Sequence, residues 1–493
     1  MRILMVYCNT SQDNTVPIGI TQVITCLQKT GHEVDLFHTT FYRHGGKCSA
    51  ELRMEALQYK PCKYAYEKTD MYSDFVKKIR DFNPDMIGFS VFEVTFNIFK
   101  KLLASAKEII RSNGIKVVAG GVQAIFWPES IAAVEGVDFI AISEAETTFV
   151  DLCKKITSGN DYRDQPGFWI REGGRWHKNA VRDITDLDTL PLSEPSLFGE
   201  RFMMKPMMGK LRRTITIELS RGCPYRCTYC ADAFLTEKFR HLGRWYRVKS
   251  VAKLDEEFTS LIKKYDPEFV YKFSETFLAA GKKWLLEYGS MYKKYRLPFW
   301  TESRPETITE ENIRIIKEMN CIRFSMGLES GNEEYRKKYL QRGGYTNKQV
   351  IKAAGVLKKF SISFSMNLII GFPFETRKMV FDGIEILRKT KPDSISTYLF
   401  TPYKGCFLRK VCEENNMIDA DFIGEDYFQM KYSLRNNTFG QEVIGLWRTV
   451  PLYVYLPKTR YNMIRKAENM DAKGNRVFDL LKEEFYEKMG WNI

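Results

Sequence analysis

The chain has 493 residues, which at roughly 100–200 residues per domain implies two to four domains rather than one core. Hydrophobic residues make up 44% and charged residues 28%, a globular composition that excludes a disordered or fibrous chain. The 75 Lys and Arg against 61 Asp and Glu leave a formal charge of +14, which points to anionic partners (nucleotides, phosphorylated metabolites, acidic lipid or nucleic acid) or simply to a basic enzyme.

The N-terminal MRILMVYCNT lacks the apolar stretch ending in small residues that marks a secretory signal. No uncharged apolar run reaches the ~18 residues of a membrane span, so the expected compartment is the cytoplasm. Residues 1–160 alternate short apolar runs with amphipathic stretches, the pattern of a parallel sheet with crossover helices. Strands are predicted at 2–7, 33–37, 85–91, 116–119 and 138–142, with helices at 17–29, 96–111 and 146–156. This is a doubly wound, Rossmann-like domain whose ligand crevice lies beyond the carboxyl ends of its strands. The insertion 39–66 has no periodicity that places it. Residues 161–211, with Gly-Gly, several prolines and DITDLDTLPLSEP, read as a connector.

Alternation resumes with strands at 214–219, 269–273, 299–303, 322–328, 361–370 and 394–399. Helices are predicted between them at 251–264, 283–295, 310–319, 347–359 and 377–390. Six βα units are too few for an eight-fold barrel, so residues 212–410 are expected to form a partial (βα)6 barrel with its site at the carboxyl ends of the strands. Residues 411–493 read as a helical, aromatic-rich extension or cap. Within it the apolar run 443–457 would cover the barrel or touch lipid, and Tyr453, Tyr455, Arg460 and Tyr461 are offered to a substrate. The predicted fold is thus α/β, with a Rossmann-like domain, a partial barrel and a helical C-terminal region.

Eleven cysteines are too sparse for a disulfide scaffold. Cys8, Cys26, Cys48, Cys62, Cys153, Cys321, Cys406 and Cys412 are scattered, whereas Cys223, Cys227 and Cys230 share the stretch LSRGCPYRCTYC just after the first barrel strand. Three thiolates spaced Cys-x3-Cys-x2-Cys can hold three irons of a [4Fe–4S] cluster and leave the fourth open to an external ligand. Arg221 and Arg226 bring positive charge that favours thiolate. A zinc site would want a fourth ligand at similar spacing, and the nearest histidine, His241, is outside the motif.

With Tyr229 as its aromatic, this loop resembles the signature of the radical S-adenosylmethionine (radical SAM) enzymes. The resemblance implies that the open iron chelates the amino and carboxylate groups of SAM, and that one-electron reduction releases a 5′-deoxyadenosyl radical. FSMGLESGNEE at 324–334, Arg342, IIGFPFET at 369–376 and TPYKG at 401–405 resemble the branch with methylthiotransferases and anaerobic magnesium-protoporphyrin ester cyclases. The likeness covers about 215–414. It implies cluster ligation by Cys223, Cys227 and Cys230 and SAM contacts from Tyr229, Glu275, Arg304, Gly327, Glu329, Arg342 and Gly371. Arg304 and Glu329 follow the third and fourth strands and would point into the mouth, where a buried charge needs a polar partner; surface ion pairs are the alternative. Gly327 and Gly371 would let backbone approach the adenosyl group, or simply form tight turns. Ser274 stands where relatives carry an acidic residue, so Glu275 takes the amino-group contact.

The first domain resembles the cobalamin-binding domain of B12-dependent radical SAM enzymes, through Pro17-Ile18-Gly19, Gly31-His32-Glu33-Val34, Ile87-Gly88-Phe89-Ser90, Gly120-Gly121-Val122 and Ser143-Glu144. It implies corrin contacts from Asn9, Ser90, Val91, Gly120, Gly121, Val122 and Glu144. His32, His38, His44, His177 and His241 lack an Asp-x-His-x-x-Gly context, so the implied cobalamin is histidine-off. The first strand-to-helix turn has no GxGxxG, which argues against NAD.

The implied cofactors are a [4Fe–4S] cluster, SAM and cobalamin, and the implied activity is methylation of an unactivated carbon through methylcobalamin. A cyclase or rearranging enzyme that uses cobalamin without methyl transfer is the rival on the same scaffold. A methylthiotransferase would need a second cysteine trio and an RNA-binding domain. A binding protein for nucleic acid or a membrane surface would rest on the basic stretch from Lys205 to Lys249. The expected partners are a small-molecule substrate, anionic or lipid-linked, and a one-electron reductant such as flavodoxin or ferredoxin, with no transmembrane segment and no dedicated nucleic-acid domain. Nothing in the sequence selects among sugar, lipid, peptide and tetrapyrrole substrates.

Overall fold

Ile3 to Tyr7 are buried without interruption, as a parallel strand covered by helices on both faces requires. In the computed structural model, which describes residues 1–424 and 431–491, this strand, β1 (Arg2–Tyr7), lies inside a seven-stranded sheet. The chain divides into two units. The first comprises Met1–Cys48, Tyr64–Ile217 and Glu237–Pro267; the second comprises Ser49–Lys63, Glu218–Thr236 and Glu268–Ile493.

In the first unit β2 (Glu33–His38), β3 (Met86–Ser90), β4 (Lys116–Gly120) and β5 (Phe139–Ala141) join β1 in parallel. The order is β2-β1-β3-β4-β5, so connections leave β1 in opposite directions and open a crevice at its carboxyl end. Tyr7 pairs with Ser90, and Ser90 with Gly120, which brings the loops after these strands to one edge. The helix expected at 96–111 is two helices, Phe96–Ser105 and Lys107–Ser112, because Ala106 leaves helical geometry at φ −103°, ψ 4°.

The stretch expected to be a connector contains structure. β6 (Phe168–Glu172) and β7 (Arg175–Lys178) extend the sheet as an antiparallel hairpin. Gly173 and Gly174 turn it at positive φ, 54° and 79°, the conformation a two-residue hairpin turn needs. A second hairpin joins β8 (Met204–Met207) to β9 (Lys210–Glu218), which lengthens the strand expected at 214–219. The helix Val251–Tyr265 also belongs to this unit and starts at Ser250, whose hydroxyl caps the Lys253 amide. Just before it, Lys249 Nζ meets Glu257 Oε1 at 2.8 Å with both side chains 3% exposed.

The second unit holds β10 (Phe269–Phe273), β11 (Phe299–Ser303), β12 (Cys321–Glu329), β13 (Ser363–Ile370) and β14 (Ser394–Leu399), each parallel to the next. The helices Lys282–Tyr292, Glu310–Glu318, Asn347–Lys359 and Arg377–Thr390 alternate with them. Phe324, Met326, Phe364 and Met366 are buried on the face that meets these helices, where Thr390 Oγ1 reaches the Met366 sulfur.

The edge at β14 is sealed from within the chain. The unplaced insertion supplies Ser49–Lys63 to this unit, and the Gln58 carboxamide accepts from the Thr397 N–H at 3.0 Å and donates to its carbonyl at 3.2 Å. One side chain thereby stands in for a neighbouring strand. The C-terminal helix Glu442–Tyr455 packs beside β14, with Trp447 Nε1 donating to the Thr397 carbonyl at 2.8 Å. Arg388 donates to the carbonyls of Tyr453, Val454 and Leu456. The apolar run thus continues the helical layer, and its first residue, Val443, reaches Gly371 just past the end of β13. Tyr453 bonds Glu468 and Tyr455 bonds the Pro392 carbonyl. Among the described residues no helix is long and apolar enough to cross a membrane.

Removing the Lys249 ammonium strands charge on Glu257. Lys249→Met should therefore lower stability by about 3–5 kcal/mol in urea unfolding, and adding Glu257→Leu should recover most of the loss.

Candidate active site

The cysteine loop starts where β9 ends. The Leu219 amide donates to the Phe273 carbonyl at 2.9 Å, and the Ser220 and Ser274 hydroxyls bond at 2.7 Å, so the loop begins against the carboxyl end of β10. The same Ser274 that replaces the expected acid is the pin. Thr228 anchors the middle: its amide and hydroxyl donate to the carbonyls of Leu340 and Tyr339, and its own carbonyl accepts from the Leu408 amide at 2.8 Å. A fourth thiol, Cys406, lies against the loop and donates to that Thr228 carbonyl at 3.2 Å. The two residues are 178 positions apart, and no local pattern marked Cys406 as a neighbour.

Cys227 is the most enclosed of the trio at 6% exposure, and two guanidiniums reach its sulfur: Arg304 Nη1 at 3.2 Å and Arg342 Nη1 at 3.5 Å. Cys223 Sγ lies 3.5 Å from Thr276 Oγ1. Burial pushes the Cys223 thiol up to about 11 against that hydroxyl, and raises the Cys230 thiol well above its ordinary value. Among the described residues no three Cys, His, Asp or Glu side chains are gathered closely enough to grip a metal ion as they stand. The donor chemistry nevertheless fits an iron–sulfur cluster: three cysteines on one short loop, with cationic side chains turned onto a sulfur.

Each arginine is itself held. Arg304 stacks on the Tyr225 ring at 3.8 Å and bonds Glu306 at 2.7 Å. Arg342 donates to the Gly327 carbonyl at 2.8 Å and the Tyr345 hydroxyl at 2.9 Å, and stands 3.6 Å from Glu329. Glu329 ends β12 at φ +63° beside a register shift, a costly conformation for a residue with a Cβ. Burial raises its carboxyl, while Arg342 and Arg304 oppose the rise. A Cβ on Gly327 would collide with Glu329 Oε1 and Arg342 Nη2. That glycine therefore makes room for the ion pair.

The space at Gly371 is filled in the same way. At φ +82° its missing Cβ leaves space that the Tyr432 ring takes, 2.7 Å from where a Cβ would lie, and the Tyr432 hydroxyl donates to the Gly371 carbonyl at 2.6 Å. Glu375, within the quoted IIGFPFET motif but given no role from sequence, accepts from the amides of Gly371 and Phe372 at 2.7 and 3.3 Å. Burial pushes its carboxyl up to about 8 against those two donors. Tyr229 packs on Phe372 with ring centroids 5.8 Å apart. Glu275 sits open to solvent, with Asp232, Glu302 and Glu218 as its acidic neighbours.

In the first unit Asn9 is buried and donates its side-chain amide to the Asp13 carbonyl and the Thr40 hydroxyl. Ser90, Gly120, Gly121 and Val122 are half-buried at the common edge, with Val91 beneath them. The Val91 amide donates to Gly120 and its carbonyl accepts from Gln123. Gly121, at φ +88°, lets the two loops touch, since a Cβ there would lie 2.7 Å from the Val91 carbonyl. Half-open backbone at the ends of β3 and β4, beside the buried Asn9, fits a flat macrocycle with amide arms. Glu144 differs from expectation: Arg247 takes its carboxylate, together with the Thr185 amide at 2.8 Å, so it anchors the connector. Of the histidines, His44 bonds the Thr39 carbonyl and His38 packs between Phe41 and Phe202.

Comparison with known proteins agrees with this geometry. The Radical SAM superfamily description matches residues 217–387, and the B12 binding domain description matches residues 5–153. An uncharacterized methyltransferase of Pyrococcus horikoshii is 27% identical over 351 residues, covering 70% of this chain and 73% of that protein. The anaerobic magnesium-protoporphyrin IX monomethyl ester cyclase of Rubrivivax gelatinosus is 24% identical over 344 residues, covering 68% of this chain and 60% of that one. Among solved structures, the cobalamin-dependent S-adenosylmethionine radical enzyme OxsB, with aqua-cobalamin and S-adenosylmethionine bound, has a TM-score of 0.68 at 15% identity over 99% of this chain and 72% of its own. The radical S-adenosylmethionine methyltransferase TsrM from Kitasatospora setae has a TM-score of 0.62 at 16% identity, over 85% of this chain and 77% of its own. These two share the fold. Residues 217–387 thus carry a Radical SAM superfamily domain, and residues 5–153 ahead of it a B12 binding domain.

Glu375 yields a pH prediction. Folded, its carboxyl keeps a proton to about 8, against 4.5 as the usual value. The folded state thus binds more protons between these limits, and stability falls as pH rises through that window, levelling above it. Glu375→Gln keeps the amide acceptor but cannot titrate. It should remove up to about 1.4 kcal/mol per pH unit of that slope, read from denaturation midpoints across the window.

Proposed function

We propose that this protein is a cobalamin-dependent radical SAM enzyme that methylates an unactivated carbon of a small molecule. The carrying observation is the loop of Cys223, Cys227 and Cys230, with Arg304 and Arg342 turned onto the Cys227 sulfur, in a chain that also matches the B12 binding domain. The methyltransferase relative supports methyl transfer over other outcomes.

In this reading the three cysteines hold a [4Fe–4S] cluster, and the two guanidiniums offset its negative charge in a low-dielectric setting. Glu275 takes the amino group of SAM, Glu329 a ribose hydroxyl, and Arg342 or Arg304 the carboxylate, while Tyr229 and Phe372 wall the site. Asn9, Ser90, Val91, Gly120, Gly121 and Val122 would hold the corrin; Glu144 is left out because Arg247 holds it. When bound, the cluster and SAM supply a 5′-deoxyadenosyl radical that takes a substrate hydrogen, and methylcobalamin supplies the methyl group. The protein's share is positioning and the exclusion of water. Electrons come from a one-electron reductant such as flavodoxin or ferredoxin.

The second reading, a cyclase or rearranging enzyme that does not transfer methyl, is favoured by the cyclase relative. Product analysis separates the two: anaerobically reconstituted protein should form S-adenosylhomocysteine as well as 5′-deoxyadenosine. Consumption of SAM with 5′-deoxyadenosine as its sole nucleoside product would reject methyl transfer. Cys227→Ala should lose nearly all cluster iron and its visible absorbance, and SAM cleavage should drop to background. A variant that retains iron and cleavage would remove the basis of both readings.

A further inference from the structure

The alternation that sends Phe324, Met326, Phe364 and Met366 toward the helices sends Glu302, Ser325, Asn367 and Ser396 to the opposite face, the inside of the partial barrel. These four form one row across four strands. Glu302 pairs in register with Ser325, the Asn367 amide donates to Ser325 Oγ at 3.2 Å, and Asn367 pairs with Ser396. The row continues past the last strand, because Ser396 Oγ accepts from Arg53 Nη2 at 2.8 Å.

Arg53 does not come from the barrel sequence. It rides on Ser49–Lys63, 343 positions from Ser396, in the segment that Gln58 clamps to Thr397. Its guanidinium lies 3.7 Å over the Tyr59 ring and 5.8 Å from that of Tyr398, and the residue is 8% exposed. At the far end Glu302 makes no hydrogen bond or ion pair with the described residues. Desolvation and then Glu329 push its carboxyl up to about 8, so it holds a proton unless a cation lies beside it. A wall built only to close a barrel would be apolar, since buried polar groups are costly. This wall is a carboxyl, then hydroxyls and an amide, then a guanidinium. At about 4.8 Å per strand, three strand steps set Glu302 and Ser396 roughly 14 Å apart along the sheet, and the Arg53 guanidinium lies one hydrogen bond from Ser396.

Resting on the reading of this barrel as the catalytic unit, we propose that the row is the substrate floor, and that it takes a small polar molecule with a protonated amine opposite Glu302 and an anionic group opposite Arg53. The sealed edge argues in the same direction. Gln58 occupies the Thr397 N–H and carbonyl, midway along the edge where an extended peptide would add to β14, which favours a discrete small molecule, with hydroxyls to meet Ser325 and Asn367. The guanidinium fork suits phosphate or carboxylate equally.

The test titrates reconstituted full-length protein by calorimetry with glucosamine 6-phosphate, which has both ends, and with glucosamine and glucose 6-phosphate, which have one each. A further arm, 6-aminohexanoate, replaces phosphate by carboxylate. A two-ended probe should bind at least about tenfold tighter than either single-ended one, the factor expected of one buried charged contact. Arg53→Met should reduce glucosamine 6-phosphate to the affinity of glucosamine, and Glu302→Gln to that of glucose 6-phosphate. Arg53→Lys, which keeps the charge without the fork, should fall between wild type and Arg53→Met. If neither two-ended probe outbinds the single-ended ones, or if both variants bind as the wild type does, the floor is not a binding surface of this kind. The wild-type comparison decides even where a variant fails to fold. Iron content and SAM cleavage of the wild-type protein report separately on the catalytic reading, so a fully loaded enzyme that ignores these probes overturns the floor alone.

Discussion

Two guanidiniums converge on one sulfur, Cys227, and much of the second unit serves to hold them there. Like charges a few ångströms apart repel by about 4 kcal/mol at the effective dielectric near a protein surface, so each arginine carries its own counter-charge: Glu306 for Arg304 and Glu329 for Arg342. The second pair exists only because β12 shifts register at its end, places Glu329 at positive φ, and leaves Gly327 without a side chain where the two head groups meet. A strained residue, a required glycine and two buried charges gathered at one strand end are the signs of a site that spends stability on geometry.

The loop that carries the cysteines has little structure of its own and takes its shape from strand ends. Ser274 holds its start, Tyr339 and Leu340 its middle amide and hydroxyl, and Leu408 with Cys406 its middle carbonyl. The neighbouring Gly371 turn is built likewise: Glu375 takes its amides and Tyr432 takes its carbonyl and its empty Cβ space. Residues from β10 through the segment after residue 430 thus fix two loops at one end of the sheet. That is why the site's shape depends on residues far apart in the sequence, Ser274, Leu408 and Tyr432 among them.

The sequence was legible where structure is local. β10, β11 and β14 appear where alternation and flanking turns put them, because period-2 patterning is a property of a few consecutive residues. The cysteine spacing was legible for the same reason. What was missed is non-local or ambiguous: Gly173-Gly174 serves equally as linker or hairpin turn, and only the partner strand decides. Glu144 looked like a ligand-facing acid until Arg247, 103 positions away, took it. Net charge says little about the site itself. A chain at +14 still gathers Glu218, Asp232, Glu275, Glu302 and Glu329 around the barrel mouth, since net charge governs the distant field and leaves the local potential to individual side chains.

The partial barrel raises a question that the insertion answers. Five consecutive parallel strands leave β14 with unpaired backbone groups, an invitation to aggregation. Thr397 shows how they are covered: Gln58 takes its N–H and carbonyl from one direction, and Trp447 donates to the same carbonyl from another. One cover precedes the strand by hundreds of residues and the other follows it, so the edge can be completed only after distant parts of the chain have come together, a slow, non-local step. A barrel excised at its apparent sequence boundary would lack Ser49–Lys63. It would lose Gln58 from its edge and Arg53 from its inner wall at once, which makes the insertion part of the second unit's architecture although its sequence lies within the first.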